Sequence, residues 1–206
     1  MAEKGLIVSV SGPSGVGKGT VLKRVAEMIE EKWPGKAAYS ISATTRSPRP
    51  GETDGVEYHF RTKEEFEEMI EAGEIIEYDQ YVGNYYGTPA APIAAKVSEG
   101  KVVFCDITIE GSLALDRKFP DDVVTIMLLP PSYAELESRL KGRGTEDDAK
   151  VAARLAKARE EIARAGEFEY AVQNNEVEQA AQDIMKIIES EMLRTFRQKE
   201  TIKNLE

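Results

Sequence analysis

The sequence predicts an α/β protein with a parallel central sheet, flanking helices and an inserted lobe. Short apolar runs alternate with amphipathic helical patterns along most of the 206 residues, the order typical of a parallel sheet covered on both faces. A glycine-rich loop joins the first apolar run to the first helical pattern. Residues 44–88 interrupt the alternation with patterns typical of antiparallel strands, so they predict the inserted lobe of mixed α/β structure.

The core elements are predicted in chain order. Leu6–Val10 is an apolar run typical of a first strand, and the helix after the loop ends at Trp33-Pro34-Gly35. A second strand is expected over 37–43. Val102–Cys105 is continuously apolar, as expected of a buried parallel strand that delivers Asp106 to the carboxyl end of the sheet. A helix is expected at 89–99, and further core strands are expected at 123–129 and 170–173. A Ser132–Glu135 capping box predicts the start of a helix that ends at about Leu140. A long helix holding Arg154 and Arg159 and a last helix from about Val177 complete the core.

The lobe is predicted from shorter patterns. Val56–Phe60 alternates with the period of a strand. Thr62 and Glu65 form a capping-box pattern that opens a helix, and Gly73 is expected to end that helix. The rest of the lobe is predicted as short strands at 75–78 and 81–82 and a turn within 83–88.

The loop after the first strand has the spacing of a P-loop. Gly12 to Lys18 reads G-x-x-x-x-G-K, in the strand–loop–helix context that this motif requires. The glycines let successive backbone N–H groups turn inward on phosphate oxygens, the following helix points its positive end there, and Lys18 adds a mobile charge. We therefore expect a P-loop NTPase-type core that binds a nucleoside triphosphate through Gly12, Pro13, Ser14, Gly15, Val16, Gly17, Lys18, Gly19 and Thr20.

The residue after the P-loop lysine departs from the usual pattern. Gly19 stands where serine or threonine ordinarily holds Mg²⁺, and Thr20 follows it. The expected Mg²⁺ is therefore held either through Thr20 or through water.

Composition narrows the classes of function. A net charge of −10 argues against a nucleic-acid-binding surface, which usually needs a basic patch. No apolar run approaches the length of a membrane span, and residues 1–5 lack the features of a signal peptide. The single cysteine, Cys105, cannot form an internal disulfide, so we expect a cytoplasmic protein. The sole histidine, His59, lies in a strand-like stretch and is interpreted as structural.

A second anion site is predicted in the lobe. Arg46 and Arg49 share one short loop, and Tyr58 and Tyr86 offer hydroxyls on rigid rings, a combination suited to a second phosphate. Taken singly, each of these residues also fits a solvated loop or ordinary packing.

Residues suited to reading a nucleobase lie near this loop. Ser42, Glu77 and Thr88 have the donor and acceptor types that a base edge needs. Guanine shows N1–H and N2–H₂ donors beside its O6 acceptor, so one carboxylate with one or two hydroxyls could read it.

Together these segments resemble guanylate kinase over about residues 4–192. The matching segments are GPSGVGK, SATTRSPRPGE, DGVEYHF, GNYYGT and LKGRGT followed by ARL. The resemblance implies transfer of the ATP γ-phosphate to GMP, giving ADP and GDP, in purine nucleotide metabolism, with Mg²⁺ accompanying ATP. It also implies a core over about 4–43, 89–140 and 166–192, a GMP-binding lobe over about 44–88 and a short helical lid over about 141–165. We expect a single domain over 1–206, in which residues 193–206, beyond the matching segments, form a C-terminal helical extension.

The resemblance also assigns roles to the predicted site residues. It implies guanine contacts for Ser42, Glu77 and Thr88, and GMP-phosphate contacts for Arg46, Arg49, Tyr58 and Tyr86. It implies that Arg143 and Arg154 close over the ATP phosphates, that Asn174 lies near the adenine, and that Asp106 lies near both phosphates and metal-bound water. The expected catalytic residues are Lys18, Arg46, Asp106, Arg143 and Arg154. One position departs from the family: a second aspartate is usual two residues after the one matching Asp106, and Thr108 stands there, which bears on an auxiliary base contact.

Other interpretations fit parts of the pattern. Guanylate-kinase-like scaffold modules without catalysis exist, but the intact P-loop lysine and both lid arginines argue against one. A P-loop GTPase would be expected to carry an Asn-Lys-x-Asp motif, and the sequence has none. A kinase for AMP or a pyrimidine monophosphate is the nearest enzymatic alternative. The sequence leaves open monomer or homodimer, use of dGMP, and whether residues 193–206 are a frayed helix end or a dimer contact.

Overall fold

The computed structural model describes residues 4–142, 148–198 and 202–205. Its strands are β1 (Leu6–Ser11), β2 (Ala37–Tyr39), β3 (Ala43–Thr44), β4 (His59–Phe60), β5 (Ile75–Tyr81), β6 (Asn84–Pro89), β7 (Val102–Asp106), β8 (Val123–Leu129) and β9 (Tyr170–Gln173). Its helices are α1 (Lys18–Lys32), α2 (Lys63–Glu71), α3 (Ala90–Ser98), α4 (Ile109–Lys118), α5 (Tyr133–Lys141), α6 (Asp148–Ala163) and α7 (Val177–Met192), with 3₁₀ turns at Ala165–Glu167 and Thr195–Arg197. Within the described ranges, no helix combines the length and the apolar character needed to cross a membrane.

A five-stranded parallel sheet in the order β2-β7-β1-β8-β9 forms the core, which confirms the predicted fold class. Helices cover both faces. On one face, α1 and α7 pack against Leu6, Val8 and Val10 of β1, and on the other α3 and α4 pack against Ile7 and Val103. Burying one Leu, Ile or Val side chain contributes about 1.5–3 kcal/mol. This two-sided burial holds β1, and with it the loop that follows, in a fixed position.

Two serines interrupt the apolar sequence of β1 on the α4 face. Ser9 Oγ lies 2.7 Å from Ser112 Oγ, which in turn lies 2.8 Å from Ser11 Oγ. Ser11 Oγ also donates to the carbonyl oxygen of Ile107 at 2.8 Å. A buried hydroxyl left unpaired costs about 1–3 kcal/mol, so the pairing makes these serines acceptable in a core strand. It also ties the end of β1 to the start of α4.

The helix α4 is absent from the sequence-based prediction. Gly111 and Ser112 occupy its first turn, and both have lower helix propensity than alanine. The helix is held instead by the Thr108 N-cap, whose Oγ1 accepts from Gly111 N–H at 3.1 Å, and by burial of Leu115. Tertiary contacts therefore decide this element.

The lobe is a second sheet in the order β4-β3-β6-β5. β6 pairs antiparallel with β3 and β5, whereas β3 and β4 are parallel. Thr62 and Glu65 form the complete capping box predicted for α2. The helix ends at its cap residue Ala72, and Gly73 follows with a φ of 67°, which glycine adopts without strain.

The four short strands predicted at 37–43, 56–60, 75–78 and 81–82 differ from the structure. The strand expected over 37–43 is divided, with β2 in the core sheet and β3 in the lobe sheet. The alternation at Val56–Phe60 forms a strand only at β4, because 55–57 is a turn. β5 runs from Ile75 to Tyr81, so the break expected between strands at 75–78 and 81–82 is absent, and Val82 lies in the turn that follows.

The turn expected within 83–88 lies one position earlier. Val82 and Gly83 have φ values of 49° and 77°, the pair of positive angles that a tight two-residue hairpin turn requires. Residues 84–89 are therefore free to pair with both neighbouring strands as β6.

Beyond α7 the chain turns back on the core. The Arg197 side chain is 3% exposed, and its Nη1 lies 3.4 Å from the Gly5 carbonyl oxygen and 3.9 Å from the Asp122 carboxylate. Through Gln198 the extension is thus packed rather than frayed, while its role as a dimer contact stays a prediction.

Replacing Arg197 tests this packing. Arg197→Ala removes a buried side chain and one partner of Asp122, so the free energy of unfolding should fall by about 1–3 kcal/mol in urea denaturation. Leu193→Ala, at a position 75% exposed in the same segment, should stay within about 0.5 kcal/mol of wild type. Equal stability of both variants would contradict a packed extension.

Candidate active site

The P-loop leaves the carboxyl end of β1 and enters α1 at Lys18. Gly15 and Gly17 have φ values of 91° and 98°, in the left-handed region that favours glycine. A Cβ on Gly15 would lie 2.9 Å from the Leu140 side chain, and one on Gly17 would lie 2.8 Å from Asn174 Nδ2. The loop is therefore packed closely against α5 and the segment after β9. Within the loop, Pro13 and Val16 are buried and Ser14 is exposed.

Lys18 lies against the loop and faces a carboxylate. Its Nζ donates to the Gly12 carbonyl oxygen at 2.8 Å and lies 3.8 Å from Asp106 Oδ1. Asp106 is the last residue of β7, and it reaches this point because β7 pairs in parallel with β1, with Val10 beside Asp106. Burial raises the pKa of Asp106, and the charge of Lys18 acts in the opposite direction.

A cavity of about 340 Å³ lies over the P-loop and contains a carboxylate that no sequence pattern identified. Its lining includes Gly12, Ser14, Lys18, Asp106 and, from α6, Glu161. Burial raises the pKa of Glu161, while the charges of Lys157 and Lys18 lower it. Helical spacing could have identified Glu161 from the sequence, because Glu161 follows the predicted lid residue Arg154 by about two helical turns.

The lid residues are only partly described. Arg143 lies outside the described residues. Arg154 lies on α6, seven residues before Glu161, so the two share a face of the helix about 10 Å apart along its axis. α6 packs on α5 through an apolar cluster, and the Tyr133 hydroxyl donates to the Leu155 carbonyl oxygen at 2.7 Å. Glu161 on this face lines the cavity over the P-loop, and the role of Arg154 at the ATP phosphates stays a prediction.

Asn174 supports the P-loop from behind. Its Nδ2 donates to the Val16 carbonyl oxygen at 2.8 Å, and its backbone N–H donates to Leu129 at the end of β8. The side chain is 3% exposed. The contact of Asn174 with adenine stays a prediction. In this structure the side-chain N–H₂ of Asn174 is hydrogen-bonded to the P-loop. Arg139 of α5 adds longer contacts, at 3.4 Å, to the carbonyl oxygens of Val16 and Asn174.

The structure brings the predicted phosphate-binding residues of the lobe together around Arg46. Its guanidinium lies 5.4 Å from the Tyr58 ring centre, and the Tyr86 hydroxyl interacts with it as well. The Tyr58 and Tyr86 rings meet edge to face, with centres 6.0 Å apart. Arg49 is exposed on the same loop.

Glu52 orients Arg46 and was not identified from the sequence. Its two carboxylate oxygens each accept from Arg46 at 2.9 Å, a bidentate pair, and Oε2 also accepts from Arg49 N–H at 2.7 Å. Arg46 holds the pKa of Glu52 below its usual range. The residue directly follows the Arg-Pro-Gly turn, which is the signal that could have identified it.

The predicted base-reading residues line one cavity of about 380 Å³. Ser42, Glu77 and Thr88 all contribute to it, together with Tyr86 and, from the core, Thr108. Burial raises the pKa of Glu77, and hydrogen bonds from the side chain and backbone of Thr108 lower it. Glu77 and Thr108 also line the cavity over the P-loop, so the two cavities adjoin.

The oxygen donors near the P-loop fit Mg²⁺. Thr20 is exposed on the first turn of α1, next to Gly19, and Asp106 faces Lys18 across the loop. Hydroxyl and carboxylate oxygens are the hard donors that Mg²⁺ prefers, and it usually binds through one or two of them plus substrate phosphates. Within the described ranges, no group of three or more His, Cys, Asp or Glu is placed to hold a metal ion.

The sole histidine and the sole cysteine of the sequence are both at least partly buried. His59 is half-buried in β4, and burial lowers its pKa. Its backbone N–H donates to the Ser42 carbonyl oxygen at 2.8 Å, and the structural role of its side chain stays a prediction. Cys105 is buried in β7, and burial raises the pKa of its thiol to about 12, so it is a poor nucleophile.

Comparison with known proteins agrees with this geometry. The guanylate kinase family model matches residues 4–191. The chain belongs to the guanylate kinase family. It is 49% identical to a guanylate kinase of Lactococcus lactis over 197 residues, covering 96% of this chain and 93% of the relative. A guanylate kinase of Streptococcus pyogenes is 48% identical, over 96% of this chain and 91% of that protein.

A solved structure supports the same assignment. The crystal structure of guanylate kinase from Anaplasma phagocytophilum superposes with a TM-score of 0.65 at 30% identity, covering 94% of this chain and 89% of that one. The family assignment therefore rests on sequence and fold together.

The support that Asn174 gives to the P-loop can be measured. Asn174→Ala removes the hydrogen bond to Val16, so the affinity for a non-hydrolysable ATP analogue should fall about three- to tenfold in calorimetric titration. Asn175→Ala is the matched control, because this neighbour is exposed and its amide contacts Gln173. Equal effects in the two variants would show that the Val16 contact is unimportant.

Proposed function

We propose that this protein catalyses transfer of the γ-phosphate of ATP to GMP, giving ADP and GDP. The observation that carries the proposal is the junction of two unlike cavities. One lies over the P-loop with Lys18 and Asp106, and the other holds a half-buried carboxylate flanked by hydroxyls, with Glu77 and Thr108 common to both. Substrates bound in the two cavities would meet at that junction.

The lobe would hold GMP by its two ends. The Glu77 carboxylate would accept from guanine N1–H and N2–H₂, with the hydroxyls of Ser42 and Thr88 completing the base edge. The GMP phosphate would bind Arg46, which Glu52 already holds in place, with Arg49, Tyr58 and Tyr86 around it. Because one end would bind a phosphate and the other a base, the lobe would favour a nucleoside monophosphate over a free base.

The core would hold ATP by its phosphates. The P-loop glycines and the N-terminus of α1 provide backbone N–H groups, and Lys18 would leave the Gly12 carbonyl oxygen for the outer phosphates. We propose Mg²⁺ as the metal, bound through Thr20 or water near Asp106, where it would neutralise phosphate charge.

The transfer step needs positioning and positive charge rather than a base. An oxygen of the GMP phosphate forms a bond to the γ-phosphorus while the bond to the bridging β–γ oxygen breaks, and ADP leaves with that electron pair. The GMP oxygen is already anionic. Lys18, Arg46 and Arg154 would stabilise charge on the transferred group, and we propose that Arg143 joins them. Closure of the lobe and lid would exclude water and so suppress ATP hydrolysis.

We also propose a cytoplasmic protein without nucleic-acid or membrane partners, as a monomer or homodimer, with dGMP as a second acceptor. The net charge of −10 supports the proposal that nucleic acid is not a partner, because a polyanion would be repelled.

Activity with a panel of nucleotides tests the function directly. ATP consumption should be fast with GMP and much slower with AMP, CMP or UMP in a coupled assay. Lys18→Met should lower kcat with GMP by a factor on the order of a hundred or more, because a transition-state charge partner is lost. The variant should keep the wild-type circular dichroism spectrum. Near-normal kcat in Lys18→Met would contradict the P-loop mechanism.

Replacing Glu77 tests the choice of base. Glu77→Gln replaces one acceptor oxygen by a donor facing guanine donors, so kcat/KM for GMP should fall at least about tenfold. Binding of an ATP analogue should stay within about twofold, because the P-loop is untouched. Unchanged turnover of GMP would mean that the base is read elsewhere.

A further inference from the structure

A hydroxyl of the core reaches across to the base-reading carboxylate of the lobe. Thr108 is the N-cap residue of α4, and its Oγ1 accepts from Gly111 N–H at 3.1 Å. The same hydroxyl donates to Oε2 of Glu77 in β5. A hydroxyl has one proton and two lone pairs, so both contacts can form at once and the proton is committed to Glu77.

The position of this hydroxyl is set by the buried core. Ser11, the last residue of β1, lies with its Oγ 2.8 Å from the Ile107 carbonyl oxygen and 3.0 Å from that of Thr108. A Cβ on Gly111 would lie 2.5 Å from Cδ of Glu77, so the first turn of α4 packs directly on the carboxyl group. The donor thus belongs to the part of the core that also supports the P-loop, while the acceptor belongs to the lobe.

We propose that Thr108 is a positioning residue for base recognition, holding one oxygen of the Glu77 carboxylate from the core so that the other oxygen is presented to guanine. This inference rests on the proposed role of Glu77. Fixing the carboxylate before binding avoids the entropy cost of ordering it when the base arrives. Threonine suits both tasks at position 108. A valine could neither cap α4 nor donate, and an ionised aspartate could cap but has no proton to donate.

The first test removes the hydroxyl and keeps the shape. Thr108→Val should lower kcat/KM for GMP about tenfold, as expected for a hydrogen bond to a charged group, mainly through a higher KM. The KM for ATP should change less than about twofold. Thr108→Ser restores both a donor and an N-cap and should recover most of the loss. Failure of the serine variant to recover would contradict the proposal.

A matched control separates base recognition from loss of a helix cap. Thr62→Val makes the same change at the N-cap of α2, where Oγ1 accepts from Glu65 N–H at 3.1 Å and has no contact with Glu77 among those of the described residues. It should lower the melting temperature to a similar degree but leave the KM for GMP within about twofold. Equal KM effects at the two caps would overturn the inference.

A double-mutant cycle tests whether Thr108 acts through Glu77. In a Glu77→Ala background, Thr108→Val should change kcat/KM for GMP less than about twofold, because the acceptor is gone. The same tenfold loss in both backgrounds would show that Thr108 acts by another route and would overturn the inference.

The pH profile gives a readout that a purely structural role would not move. Burial, Glu110 of α4 and Asp79 of β5 raise the pKa of Glu77, and the Thr108 hydrogen bonds lower it. Asp106, Glu161 and Lys18 share its cavity and are unchanged in the variant. Loss of the hydroxyl should therefore move the acid limb of kcat/KM for GMP to higher pH, while GMP itself titrates equally in both assays. An unmoved limb would count against the proposal.

Two results separate the role of Thr108 from the proposed reading of guanine by Glu77. If Glu77→Ala leaves GMP turnover unchanged, the proposed reading of guanine fails, and the role of Thr108 fails with it. If Glu77→Ala is severely impaired while Thr108→Val matches wild type, only the role of Thr108 is overturned.

Discussion

The parallel pairing of β1 with β7 is the constraint on which the rest of the site depends. In a parallel pair, both carboxyl ends lie at one edge of the sheet, so the P-loop after Ser11 and the carboxylate of Asp106 emerge side by side. β1 is buried by a strand on each side and by helices on both faces, which leaves its end little freedom. The loop inherits this rigidity. A phosphate site built from backbone groups needs such a support, because its donors cannot be aimed by rotating side chains.

The polar groups of the core extend this support to the second substrate site. Ser9, Ser112 and Ser11 connect β1 to the start of α4 by buried hydrogen bonds. Thr108 carries the connection to Glu77, a residue of the lobe. The cavity over the P-loop and the adjoining cavity that holds Glu77 therefore share one framework of hydrogen bonds. Apolar packing alone would hold the layers together but would not fix the direction of a carboxylate.

The carboxylates of the site create a charge balance that bound nucleotides would have to meet. Asp106, Glu161 and Glu77 line one continuous cavity, and burial raises the pKa of all three. Two phosphate-bearing substrates would add further negative charge. On the proposed function, Lys18, the Arg46 cluster and a metal carried by ATP would supply the compensation, so binding of either nucleotide should depend on positive charge from the protein or the metal.

Local chemistry along the chain was enough to predict several parts of this protein. Glycine spacing from Gly12 to Lys18, the apolar run ending at Asp106 and the Thr62–Glu65 capping box each specify a structure within a few residues, and all three are present as predicted. The tertiary structure decided what depends on contacts distant in the chain. The helix α4 forms despite weak local propensity because Thr108 and Ser112 are held by other elements. Residues 37–43 divide between two sheets because 37–39 pair with β7, whereas Ala43 pairs with β4 and β6. Glu52, Glu161 and the contact of Thr108 with Glu77 were likewise invisible to sequence patterns, since each gains its meaning from the residue it faces.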